Sequence, residues 1–105
     1  MTEDLKSLAL DAIAASTAAD DPDYPCFHVV PPVGRLNDPN GLLVDGDTYH
    51  AFYQFSPFHP HRKLVYWGHS SSTDLLHWRH HAPAIIPDSF YDRSGAYSGN
   101  AIVLE

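Results

Sequence analysis

The stretch "GLLVDGDTYHAFYQFS" (41–56) constrains the fold more than any other part of the chain. Asp45-Gly46 between two apolar runs is a strong hairpin signal, because both turn positions favour a positive φ. On the second run Tyr49, Ala51, Tyr53 and Phe55 alternate with His50, Phe52 and Gln54, so each set lines one face of a strand. Both faces carry bulk, as a strand covered on both sides requires. Downstream, "KLVYWGHSSS" (63–72) reads as a third strand, and "DLLHWRHH" (74–81) with "PAIIP" (83–87) as a turn and a fourth. "GAYSGNAIVLE" (95–105) opens a fifth. Antiparallel strands at this spacing, followed by the opening of another unit, have the rhythm of one β-propeller blade. The expected fold is all-β: the first blade and the start of the second. The apolar end "AIVLE" has no turn after it and reads as a chain cut within a strand.

A different segment precedes the β region. Residues 2–19 are rich in alanine and leucine, and Leu5, Leu8, Ala9, Ala12 and Ile13 follow helical spacing. Thr2, Glu3 and Asp4 suit a helix start, where acids favour the dipole. "ADDPDYP" (19–25) ends the helix with two prolines and an acidic run. The expected division is a helix and linker over 1–25 and the β domain over 26–105.

Composition excludes several classes of partner. Thirteen acids against six bases give a net charge of -7 over 105 residues, which disfavours nucleic acid and anionic membranes. No run is long enough to span a bilayer, and the first residues lack the basic start and apolar run of a secretory signal. Cys26 is the one cysteine, so no internal disulfide can form and a reducing compartment, the cytoplasm, is expected. Nothing in the residues sets an oligomeric state.

The chemistry centres on "NDPNG" (37–41). Pro39 fixes its own φ and biases Asp38 towards extended geometry. Asn40-Gly41 supplies a tight turn. A carboxylate aimed by backbone rather than by a mobile side chain suits a nucleophile held in line with its target. An Asx turn before a hairpin would use the same residues, and the pentapeptide alone leaves both readings open. Gln54, in an otherwise aromatic strand, is either a sheet-end amide facing water or a ligand for sugar hydroxyls. Trp67 and Trp78 suit core packing, and Trp67 equally suits stacking on a sugar face. Tyr97 and Ser98 precede a glycine at a strand start, a way to present both at a rim. The histidines of "HPH" (59–61) and "HWRHH" (77–81) lack zinc-motif spacing, so no metal site is expected, and "HRK" (61–63) and "WRHH" (78–81) read as solvated loop charge.

Taken together, "RLNDPNG", "HAFYQFSP", "YWGHSSSTDLLHW" and "AYSGNAIV" resemble the N-terminal part of glycoside hydrolase family 32, the β-fructofuranosidases, over residues 27–105. The resemblance implies a five-bladed β-propeller whose central funnel binds a carbohydrate, sucrose or a related fructoside. By motif, Asp38 matches the catalytic nucleophile and Asn37 a contact to the fructosyl unit. Gln54, Tyr97 and Ser98 match positions that bind sugar hydroxyls, and Trp67 matches a motif tryptophan of the wall. The usual "WMNDPNG" is "RLNDPNG" here and the usual "FSGS" is "YSGN". "SPFHPHRKLVYWGH" also lacks a tryptophan that many members carry before the "WGH" motif. The family's "RDP" and "EC" motifs, which supply the transition-state aspartate and the acid/base glutamate, have no counterpart in this chain. Glu3 and Glu105 sit in neither context.

The expected activity is that of a retaining glycosidase, without metal or organic cofactor, from which this chain alone would be inactive. Three rivals remain. One is an inverting glycosidase of a related propeller, with Asp38 as base to a water. Another is a carbohydrate-binding module that keeps the contacts without turnover. The third is a truncated structural remnant with neither binding nor turnover.

Overall fold

A computed structural model of the protein describes residues 4–104. Thr2 and Glu3, expected at the helix start, lie outside the described residues, as does Glu105. Helix α1 (Leu5–Ala15) is capped by Asp4, whose side chain accepts the Ser7 amide at 3.2 Å. It stops short of the alanine-rich segment's end. Ser16 turns extended (ψ 137°), and its hydroxyl donates to the Pro32 carbonyl at 2.5 Å. Only a 3-10 turn, Ala18–Asp20, follows.

Strands β1 (Arg35–Asp45), β2 (Thr48–Ser56), β3 (Tyr66–Ser72) and β4 (Arg79–His80) form one antiparallel sheet in the order β1-β2-β3-β4. That meander is the architecture of a single blade. The β1–β2 hairpin is where the sequence puts it, but its loop is Gly46–Asp47, because Asp45 pairs with Thr48. Gly46 has φ 60°, as the first loop position of a type II′ turn demands.

One face of the sheet carries Tyr53, Phe55 and Tyr66, all buried, and α1 covers it through Ala9. The Tyr66 hydroxyl donates to the Leu5 carbonyl at 2.7 Å, so the helix is bolted to the sheet rather than loosely tethered. Behind these residues a polar relay runs inward. Tyr53 Oη and Ser70 Oγ lie 3.0 Å apart, and Ser70 Oγ and His80 Nδ1 lie 3.2 Å apart.

The opposite face corrects the reading of the histidines. His81, just past the end of β4, is half-buried against this face rather than solvated loop charge, and His80, on β4, is half-buried on the Tyr53 face. His81 Nε2 lies 2.6 Å from Ser71 Oγ, and the His50, His69 and His81 rings stack at centroid spacings of 5.1 and 4.5 Å. Phe52 continues the stack at 4.4 Å from His69. The alternating sequence of β2 and β3 puts these rings on one face, where they cover each other. Burial, then the His81 and His50 rings beside it, push the His69 imidazole down to about 4. The folded state therefore favours neutral His69, while the unfolded chain takes up the proton from about pH 6.5 downward. Its contribution to stability is complete above pH 6.5 and is lost as pH falls towards 4. Thermal melting is expected to weaken over that window, and His69→Phe, which keeps the stacked ring without its proton, should flatten the fall. An unchanged slope in that variant would remove His69 from this role.

Two further expectations fail. Trp78 is half-buried at the sheet end, outside the core, with Nε1 donating to the Leu75 carbonyl at 3.2 Å. Asp74 accepts the amides of Leu76 and His77 at 2.9 and 2.8 Å, which winds this turn up at the end of the sheet. Among the described residues no fifth strand forms. Ala96 donates to the Val65 carbonyl at 2.9 Å, but the ladder goes no further, and Ile102 and Leu104 are exposed with nothing across from them. The fourth strand is brief because Pro83 and Pro87 cannot donate to a ladder, although Ala84 and Ile85 still bond Trp67. No helix among the described residues is long and apolar enough to cross a membrane.

Candidate active site

The "NDPNG" residues lie inside β1 instead of in a loop ahead of it. Asn37 pairs with Gln54 and Pro39 with Tyr53, so Asp38 is an extra residue without a partner across the ladder, a β-bulge. β1 is the sheet edge, where a proline without an N–H is tolerated. Asp38 has φ 43°, which overturns the extended geometry expected before a proline. Three causes combine: the bulge forces a local kink, aspartate tolerates the left-handed region better than most residues, and Asn40 Nδ2 donates to the Asp38 carbonyl at 2.9 Å. A non-glycine residue held there costs on the order of 1–3 kcal/mol, so the surroundings must over-determine it.

The result is an exposed carboxylate at a rigid corner. Ser98 Oγ donates to Asp38 Oδ2 at 3.1 Å, across 60 positions of sequence. Beside it, Asn37 Nδ2 donates to Gln54 Oε1 at 2.8 Å, which fixes both amides at the end of the β1–β2 ladder. The structure thus brings Asn37, Asp38, Gln54 and Ser98 together.

Trp67 and Tyr97 play other parts. Trp67 is buried, and its Nε1 donates to the Tyr97 carbonyl at 2.7 Å. A Cβ on Gly41 would stand 3.2 Å from the indole, and one on Gly99 3.3 Å. The ring therefore fills the space between the "NDPNG" and "YSGN" segments and pins the second against the first. Its one donor is already spent within the protein, which fits a wall residue. The Tyr97 ring is exposed and lines an open concavity of about 440 Å³ with Phe90, Tyr91 and Arg93. Among the described residues no group of three or more His, Cys, Asp or Glu side chains is arranged to hold a metal ion. Sequence reasoning assigned Asn40 only a tight turn with Gly41, whereas both lie inside β1; its place two residues after Asp38 was the signal for a further role.

Residues 28–105 match the family described as the Glycosyl hydrolases family 32 N-terminal domain. The chain is 48% identical over 79 residues to the raffinose invertase of Escherichia coli, a match covering 75% of this chain and 17% of that protein. The solved sucrose-6-phosphate hydrolase of Lactobacillus gasseri superposes with a TM-score of 0.77 at 43% identity, over 93% of this chain and 20% of that one. The Bombyx mori GH32 beta-fructofuranosidase superposes with a TM-score of 0.80 at 37% identity, over 100% of this chain and 22% of that one. This chain thus spans about a fifth of the length of such relatives. With its motifs, its blade and three quarters of its residues matched, the chain belongs to glycosyl hydrolase family 32, within the N-terminal domain of that family.

Proposed function

We propose that this chain supplies the nucleophile and part of the fructosyl-binding wall of a retaining β-fructofuranosidase acting on sucrose or related fructosides. The observation that carries the reading is the Asp38 carboxylate, set on a strained edge bulge and met by the Ser98 hydroxyl at 3.1 Å. Relatives whose names give raffinose, sucrose 6-phosphate and fructofuranosides support the substrate class. The lone, exposed Cys26 fits a reducing compartment, the cytoplasm.

In this mechanism an Asp38 oxygen attacks the anomeric carbon of a terminal β-D-fructofuranosyl group. The glycosidic C–O bond breaks as an acid group delivers a proton to the leaving oxygen. Water, deprotonated by the same group, then attacks the fructosyl-enzyme ester, frees fructose and returns Asp38 as carboxylate. Retention needs the two carboxyls about 5–5.5 Å apart. We assign the acid to a segment of the parent enzyme outside this chain, which spans about a fifth of the length of its relatives. Gln54 and Asn37, fixed by each other, offer their remaining N–H groups and lone pairs to fructosyl hydroxyls.

The test is rapid-quench mass spectrometry of the parent enzyme during sucrose turnover. A fructosyl adduct on the peptide bearing Asp38, with the anomeric configuration retained in the first product, is the expected result. An inverted first product, or an adduct elsewhere, would refute it. Gln54→Ala in the parent is expected to lower kcat/KM about tenfold, the cost of one hydrogen bond that tightens in the transition state. The melting temperature should move by no more than about 3 °C, because the site amide is only half-buried. A sharp loss of stability with kcat/KM intact would make Gln54 structural instead.

A further inference from the structure

Asn40 stands out as the polar side chain nearest the Asp38 corner with no role in the proposed reaction. It is 9% exposed, its Nδ2 donates to the Asp38 carbonyl at 2.9 Å, and its Oδ1 is buried with no hydrogen-bond partner among the described residues. The amide's orientation is dictated by that carbonyl: with the amide turned over, two acceptors would face each other across the same distance.

We infer that Asn40 is the positioning residue of Asp38, an inference that rests on the nucleophile reading above. Its donor clamps the Asp38 carbonyl and holds the left-handed φ of 43°, and that backbone angle sets the direction in which the carboxylate leaves the strand. The neighbours divide the task. Pro39 fixes the chain on the C-terminal side of Asp38, and Gly41, at φ 59°, lets the strand pass under Phe52 and Trp67. Ser98 grips the carboxylate itself. Asn40 is the side chain that grips the peptide between them. Buried as it is, it acts on substrate only through Asp38.

The decisive variant is Asn40→Asp in the parent enzyme, assayed on sucrose across pH. It keeps the shape but puts an acceptor where the donor was. Once ionised, the introduced carboxyl repels the Asp38 carbonyl, whereas once protonated it can donate to it. Burial keeps that carboxyl protonated to higher pH than usual. The expected result at neutral pH is a fall in kcat of about a hundredfold with KM within about threefold, the signature of a misaimed nucleophile. On the acid side kcat should recover at least in part, so the pH optimum moves down. A merely structural asparagine would lower the melting temperature without that shift. Wild-type kcat and an unmoved pH profile in a folded Asn40→Asp variant would overturn the inference.

If the variant does not fold, the decision passes to the unaltered chain. There a through-hydrogen-bond coupling between the Asn40 side-chain nitrogen and the Asp38 carbonyl carbon is expected by NMR, and its absence overturns the inference. A wild-type parent that cleaves neither sucrose nor sucrose 6-phosphate would sink the fructosidase reading, while the coupling would still report whether Asn40 clamps Asp38.

Discussion

Asp38→Asn in the parent enzyme is expected to lower kcat on sucrose by at least about a thousandfold while leaving melting temperature and sheet content unchanged. The amide matches the carboxylate in shape, and its oxygen can still accept from Ser98, so the corner should keep its geometry. The Asn40 bond to the backbone carbonyl is untouched as well. What disappears is the oxygen nucleophile: an amide oxygen does not form the fructosyl ester, and water without covalent help faces the full barrier. Steady-state kinetics and circular dichroism on the same preparation decide the matter. Near-normal kcat in a folded variant would remove Asp38 from its role. A parent that binds fructosides equally well before and after the change, with no turnover in either form, would identify a binding module.

How much of this site was legible before the structure depends on the kind of interaction. The hairpin was readable because its signals are local: Gly46 between two apolar runs fixes the turn, and alternation then assigns the faces of β2. Membership of the motifs was readable too: the resemblance grouped Asp38, Asn37, Gln54, Trp67, Tyr97 and Ser98 as candidate site residues, and the structure brings Asn37, Asp38, Gln54 and Ser98 together. The bulge at Asp38 was not. One extra residue in a ladder leaves alternation on either side intact, and nothing short of the pairing register reveals it. The rule that a residue before proline is extended then misdirects, because the kink and the Asn40 clamp override it. The histidines failed for a related reason. His50, His69 and His81 are dispersed in sequence, and only the β2–β3–β4 register stacks them. The fifth strand failed because β propensity in "AIVLE" has no ladder to join among the described residues.

The β2–β3 register carries the site, and Gly68 is where it is most exposed to a single change. Gly68 lies directly across from Tyr53, one step from the Gln54–Trp67 pair. A Cβ there would stand 2.0 Å from Tyr53 Cε2 and 2.7 Å from Cδ2 and Cζ, so Gly68→Ala cannot be accommodated by a small shift. Tyr53 has nowhere to go: it is 2% exposed, packs edge-on against Phe55, and holds Ser70 through its hydroxyl. Either the ring leaves the core and abandons that hydrogen bond, or the strands separate. Both routes should cost about 3 kcal/mol or more, which for a unit of this size lowers the melting temperature by more than about 10 °C. Gly46→Ala is the contrast. A Cβ at Gly46 meets nothing within 4 Å, and only the positive φ opposes it, for about 1 kcal/mol. Adding Tyr53→Leu to Gly68→Ala should return part of the loss, a coupling that distant sites do not show. If Gly68→Ala melted within about 2 °C of the wild type, the Tyr53–Gly68 pairing would be wrong. The register that sets Gln54 beside Trp67, and with it the wall of the proposed fructosyl site, would then have to shift as well.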